Sequence, residues 1–408
     1  MNSSSVSGER RLFRTPDWNL GIATLAFMLC FAAWSLISPF AKEFKKHLGL
    51  NYTTALLLTA VPVVLGSLLR IPVGWLTDRR GGRLMFTVLL AFSAVPAVLF
   101  GYAHSYWALI GVGFLLGVAG SSFAIGVPFV ANWYPKERQG FSVGIYGMGN
   151  VGTAVAFFAA PAIVNNWGRP ALGWITGAVL LGGAVLTATA AHDAPVRRPP
   201  AHYREVLHAG WRLWRLAFFY FITFGGFVAL FLMLPTLLQD WFNYSKGEAS
   251  ARAAGFVIAA TIARPIGGWI ADQFGAYPVL VLVFAGIAID AAVLATISAS
   301  PRIVPVTIAC LTLGVFLGAG NGAVFKLVPT EFPDDAGAAG GIVGAAGGLG
   351  GFFPPVFVGL IKDADHSYTY GFVGLLVFVG ACLAIAVWLL RTAPDEELRG
   401  VPHGQARA

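Results

Sequence analysis

Charge is what this sequence has least of. Asp, Glu, Lys and Arg together make up 11% of its 408 residues, against about 25% in a soluble domain. Acid is scarcer than base, with 19 Asp and Glu against 27 Lys and Arg. So few charges exclude a fully solvated globular surface. Cysteine is nearly missing too. Cys30, Cys310 and Cys382 each stand alone in an apolar run, without metal or redox spacing, and read as small apolar-facing residues. There is no H-E-x-x-H, no P-loop and no G-x-S-x-G. G-M-G-N-V-G (Gly147 to Gly152) has the glycines of a dinucleotide fingerprint but neither the preceding strand nor the βαβ context. No enzyme class and no cofactor is implied. A cleavable leader is also not expected, because residues 1–18 are polar and no small-residue cleavage site precedes the first apolar run.

What is present is hydrocarbon and glycine. Hydrophobic residues are 57% of the chain, mean hydropathy is +0.73 and there are 50 glycines. Apolar runs of about 20 residues recur throughout, which predicts an all-α polytopic membrane protein. The glycines suit close helix packing in lipid. Twelve spans are predicted, at 19–40, 53–76, 84–102, 106–134, 138–164, 170–191, 213–240, 249–271, 277–299, 303–329, 337–361 and 368–391. The net charge of +8 points to membrane orientation rather than to nucleic acid. Sixteen Lys and Arg fall on the side of the N-terminus and eight on the other, so both termini are expected in the cytoplasm. Lys42, Lys45 and Lys46, in the first outer loop, run against that rule. A longer stretch with Arg197, Arg198, Pro199, Pro200 and Arg204 divides the chain. The expected organisation is a cytoplasmic segment (1–18), a six-helix bundle (19–191), a cytoplasmic linker (192–212), a second six-helix bundle (213–391) and a cytoplasmic tail (392–408).

The two halves repeat one another. Arg70 to Gly81 reads R-I-P-V-G-W-L-T-D-R-R-G, and Arg264 to Gly275 reads R-P-I-G-G-W-I-A-D-Q-F-G. Arg70, Gly74, Trp75, Asp78 and Gly81 match Arg264, Gly268, Trp269, Asp272 and Gly275 at an offset of 194. Gly120 to Pro135 matches Gly318 to Pro333 at 198, and Gly144 and Gly147 match Gly344 and Gly347. Spans 2, 4 and 5 therefore correspond to spans 8, 10 and 11. Such pseudo-symmetric halves, related by an axis along the membrane normal, place a substrate between them near mid-membrane.

Few charges lie within the spans: Arg70, Arg264, Lys326, Asp290 and Glu331. A charge at mid-membrane costs about 2.5–3.5 kcal/mol on insertion scales and marks a pathway. Arg70 precedes Asp78 by eight residues, which puts it about 12 Å deep. Arg264 shares that depth by the repeat, and no acid matches either. Bonds to helix carbonyls alone account for one arginine; two at equivalent positions point to an anion that completes the site. Arginine's planar fork suits a planar oxyanion and keeps its proton. Lys326 is expected to pair with Glu331 as a structural or gating contact, the alternative being a part in the pathway. Asp290 reads as helix packing rather than a proton relay.

G-W-L-T-D-R-R-G-G-R (Gly74 to Arg83) resembles the loop 2–3 signature of the major facilitator superfamily. The second copy departs from it, with Gln273 and Phe274 in place of arginines. The glycine-rich spans G-F-S-V-G-I-Y-G-M-G-N-V-G (Gly140 to Gly152) and G-G-I-V-G-A-A-G-G-L-G-G-F-F-P-P (Gly340 to Pro355) resemble the paired signatures of the nitrate/nitrite porter (NarK-type) family. The resemblance implies the major facilitator fold and a monomeric inner-membrane transporter of nitrate and nitrite, working by alternating access. It maps the two substrate arginines onto Arg70 and Arg264, the signature asparagine onto Asn150, and aromatics onto Tyr220, Phe224 and Phe123, with Phe123 and Phe224 expected to sandwich the flat anion. Gly149 and Gly347 join the substrate site. Asp78, Asp272, Gly144, Gly344, Lys326 and Glu331 are assigned to gating. With no acid beside the arginines, proton symport and nitrate-for-nitrite exchange both stay open. So do a porter for another small anion (a carboxylate or an organic phosphate) and a non-transporting anion receptor.

Overall fold

The computed structural model describes residues 15–195, 203–332 and 335–392. The predicted N-terminal segment up to residue 14, linker residues Arg197 to Pro200, Pro333 and the tail from 393 lie outside the described residues. Every regular element among the described residues is helical.

Span 1 lies in Pro16–His47, span 3 is Gly82–Phe100 and span 4 is Tyr106–Ala131. Spans 7 to 12 are Trp211–Phe242, Lys246–Phe274, Ala276–Ile297, Ile303–Glu331, Ala336–Asp365 and Thr369–Thr392. Two spans need more care. Span 2 is a bent pair, Tyr52–Leu68 and Arg70–Arg80. Phe141–Ala190 runs on for 50 residues, about 75 Å at 1.5 Å per residue. That is over twice a hydrocarbon core of about 30 Å, so it crosses twice. Gly168 breaks it, with φ 81° and ψ 170°, a conformation that glycine adopts without a Cβ clash. Spans 5 and 6 meet there, and the total among the described residues is twelve.

The repeat seen in the residues reappears in the backbone. Gly81 ends span 2 at φ 89°, ψ 151°, and Gly275 ends span 8 at φ 88°, ψ 148°. Between the halves, spans 2 and 11 pack together, as do spans 5 and 8. These two seams carry the central axis.

The halves are clamped on the face opposite Asp78 and Asp272. Lys42 pairs with Asp240 at 2.8 Å, and Lys246 with Glu43 at 2.7 Å. Asp363 accepts the Tyr52 and Thr53 N–H groups at 2.7 and 2.8 Å and the Thr53 hydroxyl at 2.6 Å. The Ser38 hydroxyl donates to the Leu232 carbonyl at 2.6 Å, and Trp34 meets Phe231 edge-on. The lysines that defied the positive-inside pattern thus have a local use: Lys42 joins the clamp, and Lys45 lies 4.0 Å from the Tyr52 ring centroid. Asp240→Asn is expected to loosen this face. In a Ser38→Cys background it should raise labelling by a membrane-impermeant maleimide several-fold. The three native cysteines are buried and give little background.

Candidate functional site

Span 2 bends by 42° at Leu69. Pro72 accounts for the bend, since its nitrogen cannot donate to the Leu68 carbonyl one turn back. Arg70 is the first residue past the break. In span 8 the matching arginine precedes Pro265 inside an unbroken helix. Both arginines are buried, Arg70 at 1% and Arg264 at 3% exposure.

Each arginine lies against the glycine-rich span of the other half. Arg70 donates from Nε to the Gly120 carbonyl at 3.3 Å and from Nη1 to the Gly344 carbonyl on span 11. A Cβ at Gly348 would stand 3.4 Å from its guanidinium carbon. Arg264 lies in the same way on span 5, where a Cβ at Gly147 would stand 3.0 Å from its guanidinium carbon. It donates from Nη2 to the Tyr220 hydroxyl at 3.2 Å. Because spans 5 and 11 correspond, as spans 2 and 8 do, the exchange obeys the pseudo-twofold.

Aromatic rings fill the space between. The Phe123 centroid is 5.8 Å from the Arg70 guanidinium carbon and 5.3 Å from that of Arg264. Phe224 is 5.1 Å from Arg70, and Phe325 is 5.7 Å from Arg264. Tyr220 stacks on Phe224 at 5.0 Å, and Phe325 meets Phe123 and Tyr220 edge-on at 5.2 and 4.8 Å. Each cation–ring contact stabilises by about 0.5–2 kcal/mol. No described carboxylate pairs with either arginine. Arg70 Nη2, Arg264 Nη1 and Asn150 Oδ1 have no hydrogen-bond partner. A buried group left unmet costs about 1–3 kcal/mol, and a charged one more. Tyr220 accepts from Arg264, so its own O–H stays available to donate. Chemically, such an arrangement can accept a small oxyanion.

A cavity of about 210 Å³ opens on the Asp78 and Asp272 face and reaches Arg264. Gly144, Phe325 and Lys326 also line it. A second space of about 10 Å³ touches Arg70, Phe123 and Gly340. Arg264 is therefore approachable from this face, while Arg70 is nearly sealed.

One expectation needs correction. Lys326 pairs with Asp272, not with Glu331. Five residues along a helix turn the side chain by about 140°, so the two face different neighbours. Glu331 accepts instead from Arg215 and from the Tyr277 hydroxyl, both at 2.9 Å. Gly149 faces span 1: a Cβ there would strike Phe27 at 2.5 Å, so this glycine serves the contact of spans 1 and 5. Gly347 lies under Tyr220, 2.2 Å from its ring by the same measure, and shapes the site through that ring. Gly344, assigned to gating, offers its carbonyl to Arg70. The Arg70 guanidinium lies against both Phe123 and Phe224, the two rings expected to sandwich the anion. Asp290 accepts from Thr312 at 2.9 Å on span 10, away from the arginines. Phe325, Gly147 and Gly348 were missed as contacts. The repeat pairs Phe123 with Asn321, one helical turn from Phe325, so the offset alone does not lead to Phe325.

Comparison with known proteins agrees with this architecture. Residues 23–355 and 216–407 match the sequence profile of the Major Facilitator Superfamily. The chain is 40% identical to the nitrite extrusion protein of Bacillus subtilis (strain 168), over 91% of this chain and 93% of that protein. It is 40% identical to the probable nitrate/nitrite transporter NarK2 of Mycobacterium tuberculosis, over 91% and 95%. With the probable nitrate transporter NarT of Staphylococcus aureus (strain MRSA252) it shares 36% identity, over 95% and 98%. The crystal structure of a bacterial homolog of the human lysosomal transporter Spinster, inward-facing and occupied, superposes with a TM-score of 0.74 at 17% identity, covering 92% of this chain and 97% of that one. Repeat, fold and relatives converge: the chain belongs to the Major Facilitator Superfamily and, within it, to the nitrate/nitrite porter (NarK-type) family.

Proposed function

We propose that this multi-pass protein moves nitrate and nitrite across the cytoplasmic membrane by alternating access, as a monomer with both termini in the cytoplasm. One observation carries the reading: two buried guanidiniums, one from each half, lie on one aromatic ring without a carboxylate, and each keeps an unanswered N–H. Nitrate and nitrite are flat, monovalent and small enough for such a site. Arginine forks donate in the plane of the anion, and Asn150 and Tyr220 add neutral donors.

The conformation fits one half of a transport cycle. The clamp of Lys42, Asp240, Glu43, Lys246 and Asp363 closes the outer face, and the cavity leads from the cytoplasm to Arg264. A bound anion offsets the repulsion between the arginines and lets the halves close around it. Each arginine touches the opposite half, so closure and anion binding act on the same contacts. Asp272 and Lys326, paired at the cavity wall, and Asp78, on both spaces, stand where the inner face must rearrange.

Reconstitution tests this. Proteoliposomes, empty or loaded with nitrite, are given external nitrate with and without a pH gradient. Nitrate uptake that external nitrite inhibits is expected. Uptake requiring internal nitrite identifies exchange, and uptake requiring only the gradient identifies proton symport. Specific nitrate binding with no flux under any condition would replace the transporter by a receptor. Nitrate uptake indifferent to nitrite would overturn the shared site.

A further inference from the structure

The two halves each supply an arginine, but only the N-terminal half has so far supplied an asparagine. At the offset that pairs Gly144 with Gly344, Asn150 falls on Gly350, so span 11 offers no second amide. The C-terminal half does carry a buried asparagine, Asn321, in span 10 (Ile303–Glu331). It is 2% exposed, and its Oδ1, like that of Asn150, has no partner. Among the described residues these are the two buried asparagines in that condition. The other buried one, Asn19, donates to the Thr15 carbonyl and accepts from the His192 N–H.

Helix periodicity places Leu317, Asn321 and Phe325 on one stripe. Leu317 lies 3.1 Å from a Cβ built at Gly226 of span 7. Phe325 meets Tyr220 of span 7 and the Arg264 guanidinium. The chain neighbours of Asn321 tighten the placement: Gly320 packs on Thr223, and Gly322 on the Arg264 carbonyl and Gly268. Asn321 thus faces the seam of spans 7 and 8, one turn from Phe325. The hydroxyls of Thr223 and Thr261, on those two spans, are buried and unpartnered as well, and so is Nη1 of Arg264. Spans 7, 8 and 10 thus each bring an unanswered polar atom to the seam on which Arg264 lies.

We propose that Asn321 contacts the transported anion from the C-terminal half, its carbonyl oxygen taking the open Nη1–H of Arg264 and its amide N–H donating to an oxygen of the anion. The proposal rests on the anion-transport reading above. It also gives the site a means of discrimination. Nitrate presents three oxygens and nitrite two, so removing one donor weakens nitrate more.

The test uses the full chain in detergent. Tm is measured in sodium chloride, nitrate and nitrite at equal ionic strength, and affinities follow from the concentration dependence of the shift. Nitrate and nitrite should raise Tm of the unmodified protein above its value in chloride. No shift with either anion would overturn the transport reading and Asn321's role with it. Asn321→Asp places an internal carboxylate beside Arg264. It is expected to match or exceed the unmodified Tm in chloride and to lose the nitrate shift. Asn321→Leu is expected to lose about tenfold or more in nitrate affinity, with a smaller loss for nitrite. A nitrate shift surviving in Asn321→Asp, or equal losses for both anions in Asn321→Leu, would show that Asn321 only packs the bundle. Should the Asp variant not fold, the affinity ratio of the Leu variant decides.

Discussion

Replacing Arg70 or Arg264 by lysine is expected to cut nitrate and nitrite uptake in proteoliposomes about a hundredfold or more, with the fold retained. The charge survives such a change, so a site that needed only a positive potential would keep working. What is lost is the fork. Arg70 spends Nε on the Gly120 carbonyl and Nη1 on the Gly344 carbonyl, and still has Nη2 for an anion. A lysine has one nitrogen, and it cannot stand beside two carbonyls in different halves and the anion at once. Arg264→Lys gives up the bond to Tyr220 together with the contact on Phe123. Removing one partner from a buried, hydrogen-bonded charge typically costs about 2–5 kcal/mol, which covers the expected loss at about 1.4 kcal/mol per tenfold. Initial uptake rates, with Tm as the check on folding, decide the matter. Uptake at the unmodified rate by either lysine variant would sink the two-arginine site.

The second large effect is expected from one methyl group. In Gly347→Ala the new Cβ would sit 2.2 Å from Cδ1 and 2.8 Å from Cε1 of Tyr220, and 3.0 Å from the Tyr220 carbonyl oxygen. The ring cannot step aside. It is fully buried, stacked on Phe224 and closed off by the edge contact with Phe325. Spans 7 and 11 must separate, and overpacking of this kind costs about 1–3 kcal/mol. Since Tyr220 also holds Arg264, transport is expected to fall to background, together with a lower Tm. Gly144→Ala is the matched control, because a Cβ there meets nothing within 4 Å and faces the cavity. It should keep nitrate binding in this conformation. Equal behaviour of the two variants would mean that the glycines matter through general helix flexibility and not through the Tyr220 contact.

Class, span number, the two halves and the paired arginines were all legible in the residues, because each is written in local or additive features. Apolar run length counts crossings whatever the neighbours, and an offset of 194 needs no coordinates. The chain even signalled its own irregularities, with Pro72 at the bend and glycine at residues 81, 168 and 275, where φ turns positive. Partners were another matter. That Arg70 lies on span 11 and Arg264 on span 5, that Lys326 takes Asp272, that Glu331 takes Arg215, and that Lys42 reaches Asp240 are all contacts between elements far apart in the chain. They depend on how each helix is rotated about its axis, and one residue changes that bearing by about 100°. Sequence spacing says which side chains share a helix face. Only the packed halves decide what that face meets, and so why two arginines, each drawn to the other half's glycines, converge on Phe123.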